Sequence, residues 1–159
     1  MSAVFDAHHA QLVRLARLLG AEADAEDVVA EAFYELYRRW DRLRDPSSAA
    51  AYVRSAVCNL ARMRLRHLQV VRRHANLPSS DPDTVGSAES QVLLQEEHQE
   101  VIDALATLPT RQRQALVLRY WLDLREAEVA AAMGISKGAV KAHTSRGMAA
   151  LTRCLGEAR

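Results

Sequence analysis

An all-α chain made of two small helical domains is what this sequence predicts, on three observations. Ala, Leu and Arg dominate its 159 residues, whereas aromatics make up only 5%. These are good helix formers, and no segment alternates β-branched or aromatic residues with polar ones as a half-buried strand does. Apolar residues instead recur every three or four positions, in segments that a stretch rich in Pro, Gly and Ser divides into two groups. With 49% apolar residues, the chain has enough material for packed cores.

The first helix is expected over about residues 4–19, with Phe5, Leu12, Leu15, Ala16 and Leu19 on one stripe and Gly20 as its stop. Asp24 is the expected N-cap of the second helix. Val29, Ala32, Phe33, Leu36 and Trp40 form the apolar face of that helix, and Asp27, Glu31 and Glu35, four residues apart, line another. A polar loop follows over 41–48, where Pro46 ends helical structure and Ser47 or Ser48 caps the next helix. The third helix runs from about 49 to 67 or beyond. Its expected buried stripe is Val53, Val57 (or Ala56), Leu60 and Met63, with Arg54, Arg62 and Arg66 outside it.

Residues 76–90 hold Pro78, Pro82, Gly86 and four Ser, the composition of a flexible linker. The expected domains are therefore 1–75 and 91–159. In the second, a helix to about Thr107 turns Leu94, Val101, Ile102 and Leu105 inward. Pro109 opens a helix over about 110–122, and a short helix covers about 125–133. Gly134-Ile135-Ser136 makes a tight turn, and a last helix runs from about 137 to 155 with Val140, Thr144, Met148, Leu151 and Leu155 along one side.

The net charge of +1 conceals a strong pattern. Residues 1–75 carry 12 Arg against 9 acids, residues 76–110 carry 7 acids and no Lys or Arg, and residues 111–159 carry 9 basic residues against 4 acids. Two basic ends around an acidic middle fit two nucleic-acid-facing modules joined by a segment that avoids nucleic acid or mimics it. No acid occurs between Pro46 and Ser80, so Arg54, Arg62, Arg64, Arg66, Arg72 and Arg73 are available to phosphates.

Several function classes lack support. Cys58 and Cys154 form no CxxC pair and have no metal-ligand spacing to a His, so no metal and no cofactor are expected. His8 and His9 are adjacent and point apart on a helix. The acidic row lacks a nearby His, a nucleophile or a phosphate loop, which argues against an enzyme. There is no apolar run of about 18 residues and no basic-then-apolar leader, so the expected location is the cytoplasm.

A short helix, a Gly turn and a longer basic helix form a helix-turn-helix layout. The wider stretch Leu108-Pro-Thr-Arg-Gln-Arg-Gln-Ala-Leu-Val-Leu-Arg-Tyr-Trp121, then Glu128-Val-Ala130, Gly134-Ile-Ser-Lys-Gly-Ala-Val-Lys141 and Ser145-Arg146, closely resembles the C-terminal, −35-binding domain of extracytoplasmic-function (ECF) sigma factors. Residues 24–33 resemble the segment of that family that docks on the clamp helices of the polymerase β′ subunit, and residues 50–62 resemble its −10-reading helix.

The resemblance implies a sigma factor that binds core RNA polymerase at β′ and the β flap and recognises promoter DNA. It also implies an anti-sigma factor as a further partner, with the linker lying in the RNA exit path. Residue by residue, it assigns Asp27, Glu31, Phe33 and Glu35 to core-polymerase binding. Arg42, Arg44, Tyr52, Arg54, Asn59, Arg62 and Arg66 fall to the −10 element, where loop 41–48 and the following helix form a pocket for an unstacked base. Arg125, Ser136, Lys137, Gly138, Ala139, Lys141, Ser145 and Arg146 fall to the −35 element, with Lys137, Gly138 and Ala139 nearest the bases. The alternative reading is a stand-alone helix-turn-helix regulator that binds duplex DNA as a dimer.

Overall fold

The computed structural model describes residues 2–75 and 96–157, and every regular element among them is helical. In chain order these are α1 (Ser2–Leu18), α2 (Ala25–Arg38), 3-10 turns at Trp40–Arg42 and Pro46–Ser48, α3 (Ala49–Ala75), α4 (Glu96–Ala106), α5 (Thr110–Leu116) continued by a π turn (Val117–Trp121), α6 (Glu126–Met133) and α7 (Lys137–Glu157). The linker expected over 76–90 and the inward Leu94 lie outside the described residues.

Helices α1, α2 and α3 bury Leu12, Leu15, Ala16, Leu19, Val28, Val29, Ala32, Leu36, Val53 and Val57 against one another. Gly20 ends α1 at φ 104°, a backbone region open to glycine. A Cβ there would also meet the guanidinium of Arg113 at 3.0 Å and the Leu65 side chain at 3.1 Å. In the second half, α4 to α7 enclose Leu105, Leu116, Leu118, Val129, Met133 and Val140. Gly134 caps α6 at φ 68°, letting the Ile135 N–H reach back to the Ala130 carbonyl at 3.1 Å. Replacing Leu118, which has no exposed surface, by Ala is expected to lower stability by about 2–5 kcal/mol. Urea unfolding of both chains measures this.

Four local expectations are corrected. Asp24 precedes α2 but makes no side-chain cap bond. Its carboxylate pairs with Arg64 of α3 at 3.3 Å instead. The cap before α3 is Asp45, which accepts the Ser47 N–H at 3.0 Å and the Ser47 hydroxyl at 2.7 Å. Those bonds, the hydroxyl first, hold the Asp45 carboxyl below its ordinary range. Phe5 is 40% and Met63 60% exposed, although both sit on predicted buried stripes. In α3 the expected Val53, Val57 and Leu60 are buried, and Ala56, Cys58 and Ala61 are buried beside them, because this helix is packed by both halves of the chain.

The two halves are not separate in space. Their buried side chains form one continuous cluster, and among the described residues three side-chain hydrogen bonds cross between them. Arg113 of α5 donates its Nε to the Leu18 carbonyl, Gln114 donates to the Cys58 carbonyl at 3.1 Å, and Ser55 donates to the Ala132 carbonyl at 3.2 Å. Leu18 and Ala132 lie in the last turns of α1 and α6, where carbonyls have no partner within their own helix. A cation at that end of α1 is also favoured by the helix dipole. Burial lowers the Arg113 pKa, and Glu22 works against that shift.

Candidate functional site

The first charged face lies on α2. Asp27 and Glu31 are exposed and Glu35 is half-buried, as a spacing of four opposite the stripe Val28, Val29, Ala32 and Leu36 requires. Phe33 belongs to the inward side: it is 5% exposed and its ring packs on Phe5 at 4.9 Å. Two residues not singled out from the sequence stand beside the acids, Tyr34 at 61% and Tyr37 at 67% exposure, with the Arg38 guanidinium 5.9 Å from the Tyr34 ring. Arg64 also belongs here. It binds Asp24 and Glu31 at 3.3 and 3.4 Å, so it faces α2 and leaves the set of arginines available to phosphates.

The second face is built on α3 and the turns before it. Arg42, Arg44, Asn59 and Arg66 are exposed, and Tyr52, Arg54 and Arg62 are half-buried. The Arg39 guanidinium lies 6.0 Å from the Tyr52 ring, so one face of that aromatic is already taken by a cation. Trp40 packs against the core. Arg54 lines a cleft of about 250 Å³ with Ala51 of α3 and Ala127, Glu128, Ala131 and Ala132 of α6. The start of the α3 face is thus covered by the other half of the molecule.

The third face is the helix-turn-helix. Lys137, Gly138, Lys141, Ser145 and Arg146 are exposed on α7, Ala139 is half-buried, and Val140 is fully buried behind them. Ser136 acts locally, since its hydroxyl oxygen accepts the Ala139 N–H at 3.1 Å and caps the helix. Arg125 is exposed just before α6, and its own N–H donates to the Glu128 carboxylate at 3.1 Å. Gly147 is buried on the opposite side, where a Cβ would come within 3.1 Å of Leu116. A larger residue there would need the Leu116 side chain to give by a few tenths of an ångström.

Comparison with known proteins settles the family. Residues 4–70 match the family model for sigma-70 region 2, and residues 98–151 match that for sigma-70 region 4. The chain is 32% identical over 154 residues to the ECF RNA polymerase sigma factor SigM of Mycobacterium tuberculosis, covering 96% of this chain and 76% of that protein. The chain belongs to the extracytoplasmic-function sigma factors. It is also 34% identical over 137 residues to the RNA polymerase sigma-E factor of Streptomyces coelicolor, covering 85% of this chain and 73% of the relative.

Among solved structures, the fold is similar to that of the sigma factor RpoE in complex with the anti-sigma factor NepR from Bartonella quintana. The TM-score is 0.73 at 23% identity, over 98% of this chain and 96% of that one. CnrH in complex with the cytosolic domain of CnrY gives a TM-score of 0.67 at 25% identity, over 98% and 87%. The region 2 match spans α1 to α3, and the region 4 match spans α4 to α7 up to residue 151, so this sigma factor carries two of the faces above on one module and the third on the other.

The two thiols differ sharply. Cys58 is 1% exposed. Burial pushes its pKa up to about 12, against the opposing pull of Arg54, Arg111 and Arg62. Cys154 is half-exposed beside the Thr107 hydroxyl at 3.7 Å. The raised pKa keeps Cys58 neutral at all pH values below about 12. At pH 8 a thiol reagent is therefore expected to titrate one cysteine in the native chain and both in denaturant. Rapid reaction of two native thiols contradicts the packing of α3. Among the described residues no helix is long and apolar enough to cross a membrane.

Proposed function

We propose that this sigma factor docks on core RNA polymerase through the acidic and aromatic face of α2 and then holds one promoter element with each module. The observation that carries this reading is that both sigma regions occur in order in one chain, each presenting its own exposed charged face. Asp27, Glu31 and Glu35, with Tyr34 and Tyr37, form the face for β′. Phe33 supports it from the core. Loop 41–48 and α3 take the −10 element, with Arg42, Arg44, Arg62 and Arg66 on phosphates, Asn59 as a polar contact and Tyr52 as a stacking surface. Helix α7 enters the −35 major groove with Lys137, Gly138 and Ala139 leading and Lys141, Ser145 and Arg146 on the backbone. Arg125 lies at the edge, and Ser136 acts through its cap.

Sigma factors are not enzymes, and here strand separation draws on binding energy alone. The site of action is the cytoplasm, where core polymerase works. One solved neighbour is a sigma factor in complex with an anti-sigma factor, which supports a regulator of that kind for this chain. A free-standing helix-turn-helix regulator has no use for residues 4–70, which match region 2.

The packed arrangement and promoter reading exclude each other. Elements at −10 and −35 lie about 25 base pairs apart, roughly 85 Å along the duplex, whereas a compact chain of this size has a radius of gyration of about 15 Å. The modules must therefore part before both elements are held. The deciding experiment is in vitro transcription with purified core polymerase on a genomic library. Specific start sites that share −10 and −35 sequences, appearing only with both proteins, are the expected result. No association of the folded chain with core polymerase would refute the assignment.

A further inference from the structure

On α3, Arg62 and Arg66 are one turn apart, and Arg62 is itself one turn beyond Cys58, so all three share a face. Gln114 of α5 reaches α3 at this level, its side-chain amide donating to the Cys58 carbonyl at 3.1 Å. Arg111 is held beside it, donating to the side-chain amide oxygen Oε1 of Gln114 at 2.9 Å. Arg111 is half-buried, and its pKa is lowered first by burial and then by the positive charge of Arg62, with Arg66 adding to the same effect. Three guanidiniums from two modules thus converge. The ion pairs among the described residues involve only Arg64, on the α2 side. Among the described residues, none of these three guanidiniums makes an ion pair with a carboxylate. Like charges brought together without an ion-pair partner oppose closure unless an anion joins them.

We propose that Arg62, Arg66 and Arg111 form a phosphate-binding site that exists only while the two modules are packed, and that an oligophosphate held there stabilises the packed arrangement. Guanidinium forks suit this chemistry, since each presents paired donors to phosphate oxygens. The consequence for promoter access rests on the function proposed above; the site itself rests only on the hydrogen bonds that hold Arg111 and Gln114 of α5 beside α3. Arg111 belongs to the region 4 module yet faces the region 2 helix. A phosphate here therefore bridges the modules rather than serving one of them.

Two sources of phosphate are distinguishable by titrating the full chain with inorganic tripolyphosphate and, separately, with a short oligothymidylate, using calorimetry. Small-angle scattering reports on module separation in the same samples. The expected result is saturable tripolyphosphate binding that is at least tenfold weaker in Arg111→Gln, largely kept in Arg111→Lys, and unchanged in Arg153→Gln on the exposed side of α7. The radius of gyration should stay at its compact value with ligand bound. Binding of the oligonucleotide with the same dependence on Arg111 identifies a nucleic-acid backbone as the source. If Arg111→Gln is poorly folded, Arg66→Gln replaces it with the same expectation. Equal affinity of wild type and these variants for both anions, absence of binding by either anion, or expansion of the chain on binding overturns the site. Association with core polymerase is measured separately and does not depend on any of these outcomes.

Discussion

Replacing Asp27 and Glu31 together by Arg is expected to weaken association with core polymerase by about 100-fold or more. The reasoning starts from the basic surface that an acidic face selects: turning attraction into repulsion at two positions costs several kcal/mol at an interface, and each 1.4 kcal/mol is tenfold in affinity. Both residues are exposed, so the fold should survive. Glu31 gives up an exposed pair with Arg64 at 3.4 Å, a contact worth about 0–1 kcal/mol. Asp27 lies in the first turn of α2, where exchanging an acid for a cation costs up to about 1 kcal/mol through the helix dipole. Melting should therefore fall by only a few degrees. Glu157→Arg, at the far end of α7, serves as the charge control. Unchanged core affinity in the double variant removes the docking assignment.

The second large effect concerns α7. Lys141→Ala with Arg146→Ala is expected to lower transcription from promoters with a −35 element by about 10- to 100-fold, at roughly 1 kcal/mol or more for each lost contact. Both side chains are exposed and neither makes an ion pair among the described residues, so stability should hardly change. The salt dependence of promoter binding should also become shallower, by about two in the logarithmic slope if both contact phosphates. Output that is equal for wild type and variant, on intact and on scrambled −35 sequences alike, contradicts the assignment.

Much of the architecture was legible because it is local. A helix is announced by apolar residues three and four apart, and the stripes Leu12-Leu15-Ala16-Leu19 and Val29-Ala32-Leu36 are buried as that period requires. Gly134 was legible because a left-handed residue is needed to stop α6, and its φ is 68°. The exposed rows Asp27-Glu31 and Lys137-Lys141-Ser145 follow from the same periodicity.

The errors arise where a residue had two possible employers. Asp24 and Ser136 both had the chemistry of a cap. Ser136 caps α7, while Asp24 is drawn to Arg64, forty residues further along the chain. Phe33, assigned to docking as well as to the apolar face, is held inward because α2 turns its aromatic toward Phe5. Met63, assigned to the core, is exposed, although Leu60 on the same expected stripe is buried. Arg113-Gln114, ahead of Ala115-Leu-Val-Leu118, reads locally as the polar start of an amphipathic helix. Both side chains are buried because their partners lie in the other module.

By itself, then, the sequence determined the helical class, the two positively charged modules, the turn of the helix-turn-helix and the family, since each depends on spacing within a few residues or on motifs of contiguous residues. Tertiary structure alone decided which arginines remain free for phosphate, which polar side chains are buried, and that the modules rest on one another. Those outcomes depend on contacts between residues 33 to 95 positions apart, such as Arg64 with Glu31, Gln114 with Cys58 and Arg113 with Leu18. The intrinsic preferences of a residue and its neighbours carry no information about a partner that only the folded chain brings near.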